Sequence, residues 1–323
     1  MKAVKSRSIE LLKKAIVFPL RDSAISINQR LGAFENVLWL IGDGRSGTTW
    51  VSSILNSQGK ARELFEPYHP LVLPEYCKDY RPYEYFEVLN SQDPLVNLYK
   101  EIFSGKFKHR RIDFDNRKLK YNGLLVKDIF STTFAHAILP HFPNVKTLLL
   151  VRNPFSVVMS KAQKKHWFWP QELSIYLSNE ALIGELNSQQ IALIEQSSKE
   201  NDFYNIQLIH WCVNYFLAFK HLPKTMYLTV HYENFVMAPQ ECLDNINRYV
   251  GDAFNFIPKI VDKAVLERPS RVMGKQKGFS NPMLTEEKAV EKLGKKRVLQ
   301  MKAILEVFGL DDLYDAAGAP RND

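Results

Sequence analysis

The stretch LIGDGRSGTTW (residues 40–50) decides how the rest of the chain is read. An apolar run ends at Ile41; Gly42, four further residues and Gly47 follow, and then Thr48 and Thr49. A phosphate-binding loop of this spacing normally carries a lysine after its second glycine, to reach the β- and γ-phosphates of a nucleoside triphosphate. Here that position is Thr48, and the nearest cation, Arg45, precedes Gly47. The backbone N–H groups of such a turn, and of the helix that begins near Thr48, form an anion site. The hydroxyls of Ser46, Thr48 and Thr49 add donors. The loop therefore reads as a binder of phosphate-like groups that does not reach a γ-phosphate.

Outward from this loop, short apolar runs recur at 36–42, 61–67, 123–128, 146–152 and 225–232. Stretches of helical periodicity separate them at 48–57, 131–142, 154–165, 205–222 and 238–251, and a last helix is expected over 285–307. Alternating strands and helices predict an α/β fold, a P-loop-like three-layer domain with a central parallel sheet and helices on both faces. The runs at 37–41 and 146–151 are almost purely apolar, as buried central strands are. We expect an N-terminal amphipathic helical segment over 1–35 and one domain over 36–323. Two insertions, at 68–122 and 163–206, interrupt the rhythm on the acceptor side.

The 323 residues carry a net charge of +8, which suits anionic partners. The three cysteines, Cys77, Cys212 and Cys242, form no CxxC pair and no disulfide framework, which favours a reducing compartment. None of the eight histidines lies in a metal-ligand spacing, so no metal is implied. No apolar run is long enough to span a bilayer. The basic amphipathic start either packs on the domain's edge or makes a peripheral membrane contact.

A triphosphate enzyme usually places an Asp at the end of another core strand to hold Mg²⁺. The strand KTLLLVR ends in Arg152 instead, a cation that repels a metal and attracts a second anion. The ligand implied has two separate phosphate-like groups.

RSGTTW resembles the 5′-phosphosulfate loop of the sulfotransferases that use 3′-phosphoadenosine 5′-phosphosulfate (PAPS). VRNPFSVVMS, with Arg152 and Ser160 eight residues apart, is similar to their 3′-phosphate site. MYLTVHYENF resembles the segment in which a tyrosine, here Tyr232, lies near the adenine. KQKGFS, with Lys277 and Gly278, is loosely similar to the family's C-terminal Arg-Lys-Gly loop. The resemblance spans roughly residues 36 to 280 and implies PAPS as donor, with Arg45, Ser46, Gly47, Thr48 and Thr49 around its 5′ end. Trp50 is either an adenine-stacking ring or a core aromatic.

Lys127 ends a strand, where open parallel sheets bind ligands; it contacts the transferring group or pairs with Asp128. Small-molecule members of the family place a histidine two residues after the matching lysine, where this chain has Ile129. The resemblance of the FEP context to carbohydrate members, and of its place to the glutamate of protein-tyrosine members, makes Glu66 the expected base. A half-buried carboxylate beside cations can stay ionised and accept a hydroxyl proton. His69 competes for this role.

The basic run from Lys106 to Lys120 holds seven Lys/Arg against two Asp. It is either a solvated loop or the seat of an anionic acceptor, such as a glycan or glycolipid. Trp167, Phe168 and Trp169 either stack on sugar rings or plug the core. Because carbohydrate members in the Golgi carry an N-terminal anchor and this chain shows none, a cytoplasmic location is expected. The rival readings are a P-loop kinase and a basic nucleic-acid binder, although no nucleic-acid recognition motif is present. A thermal shift with adenosine 3′,5′-bisphosphate and none with MgATP is the outcome expected of a sulfotransferase, and the reverse that of a kinase.

Overall fold

In a computed structural model of the chain, residues 18–164, 167, 169–267 and 284–321 are described. The first helix, α1 (Phe18–Arg30), packs on the edge of the domain: the Asn28 amide donates to the Leu119 carbonyl and accepts from Tyr121 N–H at 2.8 Å. Five strands follow, β1 (Val37–Gly42), β2 (Ala61–Phe65), β3 (Gly123–Asp128), β4 (Val145–Val151) and β5 (Tyr227–His231). They form one parallel sheet in the order β2-β3-β1-β4-β5. The helices of eight residues or more are α2 (Thr48–Leu55), α3 (Pro94–Phe103), α4 (Pro154–Ala162), α5 (Ser188–Glu200) and α6 (Phe203–His221). After the six-residue α7 (Tyr232–Met237) come α8 (Pro239–Val250), α9 (Glu286–Leu293) and α10 (Lys295–Val307). No helix among the described residues is long and apolar enough to cross a membrane.

Successive strand residues point to opposite faces, so the sheet divides the core in two. Trp39, Ile41, Val126, Leu149 and Val151 meet α3, α4, α6 and α10 on one face. Leu38, Leu40, Leu125, Leu148 and Leu150 meet α2 and α8 on the other. This is the expected three-layer α/β domain. The helix α6 is apolar nearly all round, as a buried helix is. Its start is set by Asp202, whose carboxylate accepts from Asn205 N–H at 3.1 Å.

Three expected boundaries differ. The strand over 61–67 stops at Phe65, because Glu66 takes a left-handed φ of 52°. The helix over 131–142 is only a series of short turns around Ala135–Ile138, and Pro140 prevents a longer one. The helix over 285–307 is two helices, separated by Gly294 with φ 83°.

The insertion after β2 is tied down along that strand's outer edge. The guanidinium of Arg62 grips Asp113 through two bonds, Nε–Oδ1 at 2.9 Å and Nη2–Oδ2 at 3.1 Å, with both side chains fully buried. Phe65 N–H donates to the Ile112 carbonyl at 3.2 Å, and the Asn116 amide bonds both backbone groups of Glu63. Asp113→Ala should destabilise the fold by about 3–5 kcal/mol, because it strands a buried guanidinium. Arg62→Met/Asp113→Leu should recover most of that loss. Urea denaturation of the two variants checks both values.

Candidate functional site

The site forms at the carboxyl ends of the strands, where chain order reverses and β1 lies between β3 and β4, the place where open α/β sheets bind ligands. The loop from Asp43 to Gly47 leaves β1 and crosses this end. Arg45 has φ 72° and Gly47 φ 94°. A Cβ on Gly47 would lie 2.4 Å from the Tyr232 ring, so the turn requires glycine for both reasons. No side chain caps α2. Among the described residues the N–H groups of Gly47, Thr48 and Thr49 have no acceptor, and they form the anion cradle at the helix start.

The base of the loop is fixed by groups that sequence reasoning missed. Asp43 and Lys161 are both buried, and Lys161 Nζ lies 2.6 Å from Asp43 Oδ2. Asp43 Oδ1 accepts from Gly44 N–H at 2.7 Å, and Asp43 N–H donates to the Tyr215 hydroxyl at 3.1 Å. Burial raises the carboxyl of Asp43, and Lys161 pulls it back down. One signal was available: helical spacing puts residue 161 on the apolar face of Val157 and Val158, where a lysine needs a buried partner.

Arg45, Arg152 and Ser160 converge. The Nε of Arg45, not of Arg152, donates to Ser160 Oγ at 2.9 Å. Arg152 Nη1 donates to the Arg45 carbonyl at 3.0 Å, and its guanidinium lies 4.3 Å from the centre of the Tyr232 ring. The Arg152 Nε is buried without a partner among the described residues. Burial, and then the charge of Arg152, bring the Arg45 guanidinium down to about 10. This is a cationic corner in need of an anion.

The aromatic expectations sort themselves by packing. Trp50 is 4% exposed and lies edge-on to Tyr232 and Phe235, in the core beneath α2; the partly buried ring beside the cations is Tyr232. Trp169 is buried on Gly44, and Trp167 lies 5.2 Å from the Arg45 guanidinium, so both cover the loop. Phe168, Lys277, Gly278 and the first 17 residues lie outside the described residues.

On the other side of β1, Lys127 is 1% exposed and pairs with Glu66, not with Asp128. Asp128 instead accepts from Phe130 N–H and Ser131 Oγ, at 2.9 and 2.8 Å. The Lys127 ammonium also lies 4.1 Å from the centre of the Phe65 ring. The left-handed Glu66 is held by its N–H, which donates to the Lys127 carbonyl at 2.7 Å. His69 is not the surface histidine its isolation in the sequence suggests: it is 4% exposed and lowered to about 4, chiefly by burial.

The model of the sulfotransferase family matches residues 38–255, more than half of the chain. The chain belongs to the sulfotransferase family. Its members transfer sulfuryl groups, and this protein is a sulfotransferase enzyme. Solved structures similar to this sulfotransferase include one from Alicyclobacillus acidocaldarius, at 14% identity over 83% of this chain and 93% of that one, TM-score 0.39. Another is a sulfotransferase from Mycobacterium avium, at 13% identity over 88% of this chain and 78% of that one, TM-score 0.43. The sulfotransferase domain of the Synechococcus PCC 7002 olefin synthase matches at 14% identity over 79% and 92%, TM-score 0.35. No curated protein sequence matches significantly.

In this sulfotransferase Asp43→Asn should cost about 3–5 kcal/mol of stability, because it leaves the Lys161 ammonium buried beside a neutral amide. Asp43→Asn/Lys161→Met should regain most of it. Chemical denaturation, followed by tryptophan fluorescence, checks the pair.

Proposed function

We propose that the enzyme moves the sulfuryl group of PAPS to a hydroxyl of a carbohydrate or glycolipid acceptor, with Glu66 as the base. The observation that carries this reading is the meeting of Glu66 and Lys127 at the ends of two adjacent strands, one strand from the cationic loop. The donor fits the residues present. The cradle N–H groups of Gly47, Thr48 and Thr49, with Ser46 and Arg45, suit its 5′-phosphosulfate. The Nε of Arg152, unpartnered among the described residues, and the Ser160 hydroxyl suit its 3′-phosphate, and the Tyr232 ring under the Arg152 guanidinium suits the adenine. Lys277 and Gly278 keep their proposed place in the donor loop on the resemblance alone.

Bound PAPS supplies a sulfuryl group on a phosphate that leaves with negative charge. Arg45, the cradle and Lys127 face that charge with donors already in place, so little reorganisation is needed during transfer. Glu66 accepts the proton of the attacking hydroxyl. Lys127 orients the carboxylate, and the left-handed backbone of Glu66 ends the strand just before it. His69 is a poorer base for a geometric reason: Leu71 N–H donates to its Nδ1 at 3.0 Å, and its Nε2 lies 3.2 Å from Arg111 Nη2. A carbohydrate-type hydroxyl is favoured over a small phenol by the FEP context and by Ile129 in the place of a histidine base.

Glu66→Gln should lower turnover by roughly 10² to 10⁴ while adenosine 3′,5′-bisphosphate still binds. Transfer of radiolabelled sulfuryl groups to a panel of glycans, glycolipids and phenols, with calorimetry for the bisphosphate, reads both quantities. Unchanged turnover in this variant removes Glu66 from the reaction.

A further inference from the structure

The seven cations between Lys106 and Lys120 are not equivalent. Lys108 is spent on Ser26 Oγ and the Asp22 carbonyl, and Lys118 on the Gln58 carbonyl. Arg111 is exposed, and among the described residues no carboxylate lies within ion-pair range of it. Its Nη2 lies 3.2 Å from His69 Nε2. His69 N–H in turn donates to the Glu66 carbonyl at 3.1 Å, so an uncompensated guanidinium stands one side chain from Glu66. Three residues further along the same segment, Phe114 is 50% exposed, and its ring lies edge-on to Phe65 at 5.6 Å. Phe65 carries the Lys127 ammonium on its own face. Neither residue sits on a loose loop. The buried Arg62–Asp113 pair and the Phe65–Ile112 backbone bond fix the segment between them against β2.

We propose that Arg111 and the Phe65–Phe114 pair form an acceptor subsite, which takes a substrate bearing a sugar or aromatic ring and an anionic group. This rests on the proposed reaction at Glu66 and narrows its substrate class from hydroxyl acceptors to anionic ones. A guanidinium offers a carboxylate or sulfate two parallel donors, and the aromatic pair gives the ring an apolar ledge. Trp167 and Trp169 are not available for this, since they lie over the donor loop. Lys127 lies against the same Phe65 ring and pairs with Glu66, so an acceptor on the ledge is beside the reacting pair.

The test uses 4-nitrophenyl β-D-glucuronide and 4-nitrophenyl β-D-glucoside, which differ only in the carboxylate. Each is titrated calorimetrically into the full chain, with and without saturating adenosine 3′,5′-bisphosphate. The glucuronide should bind at least about 10-fold more tightly than the glucoside. Arg111→Ala should bring the two within about 2-fold of each other, and Phe114→Ala should weaken both alike. Neither change should alter bisphosphate affinity. Equal affinities, failure of the glucuronide to bind, or a preference that survives Arg111→Ala overturns the subsite. Failure of the bisphosphate to bind overturns the donor reading instead, and the titrations without it still report on the subsite.

Discussion

The buried ion pair between Lys161 and Asp43 is the constraint on which the site depends. Taking an ammonium and a carboxylate out of water is costly, and such a pair persists only where further hydrogen bonds complete it. Here Gly44 N–H occupies the second carboxylate oxygen, and the Tyr215 hydroxyl holds the Asp43 backbone. The loop that follows contains a non-glycine residue, Arg45, in the left-handed region. Such a conformation costs of order 1–3 kcal/mol and survives only when its surroundings overdetermine it. One helix does this twice, since Lys161 anchors the loop's base and its neighbour Ser160 receives the Arg45 side chain.

The same arrangement holds two guanidinium groups close together in a half-buried corner. Arg45 is depressed by burial and by Arg152, a repulsion that a bound anion relieves. The electrostatic cost is thus met during folding, and the donors stand in position before a ligand arrives. Glu66 follows the same logic on the other side of β1. Its left-handed backbone, secured by a bond to the Lys127 carbonyl, turns the carboxylate towards the lysine whose strand it borders.

Much of this was legible in the sequence, for identifiable reasons. Parallel strands buried on both faces are near-continuous apolar runs, and all five were read within two residues of their ends. The end of β2 was missed because a tertiary hydrogen bond and a positive φ at Glu66 leave no mark on local pattern. The last helix was read as one because its apolar periodicity runs on across Gly294. In the site, Arg45, Glu66, Lys127 and Arg152 were visible as polar residues at the ends of apolar strands. The pairing of Asp43 with Lys161 joins residues 118 apart in the chain, a relation that local spacing does not carry. The basic run after Lys106 looked uniform for the same reason: Lys108 is tied to Ser26 and Lys118 to Gln58, partners 82 and 60 residues away in the chain.

The strand order also partitions the work. In the proposed reading the residues that hold the nucleotide hang from β1, β4 and β5, whereas Glu66, Lys127 and the proposed aromatic ledge belong to β2, β3 and the segment laid along the sheet's outer margin. A boundary between the two halves runs along β1 and β3. Substitutions in the marginal segment can therefore redraw what is sulfated without disturbing how the sulfuryl group is delivered, so in this architecture a change of substrate need not begin with a change of chemistry.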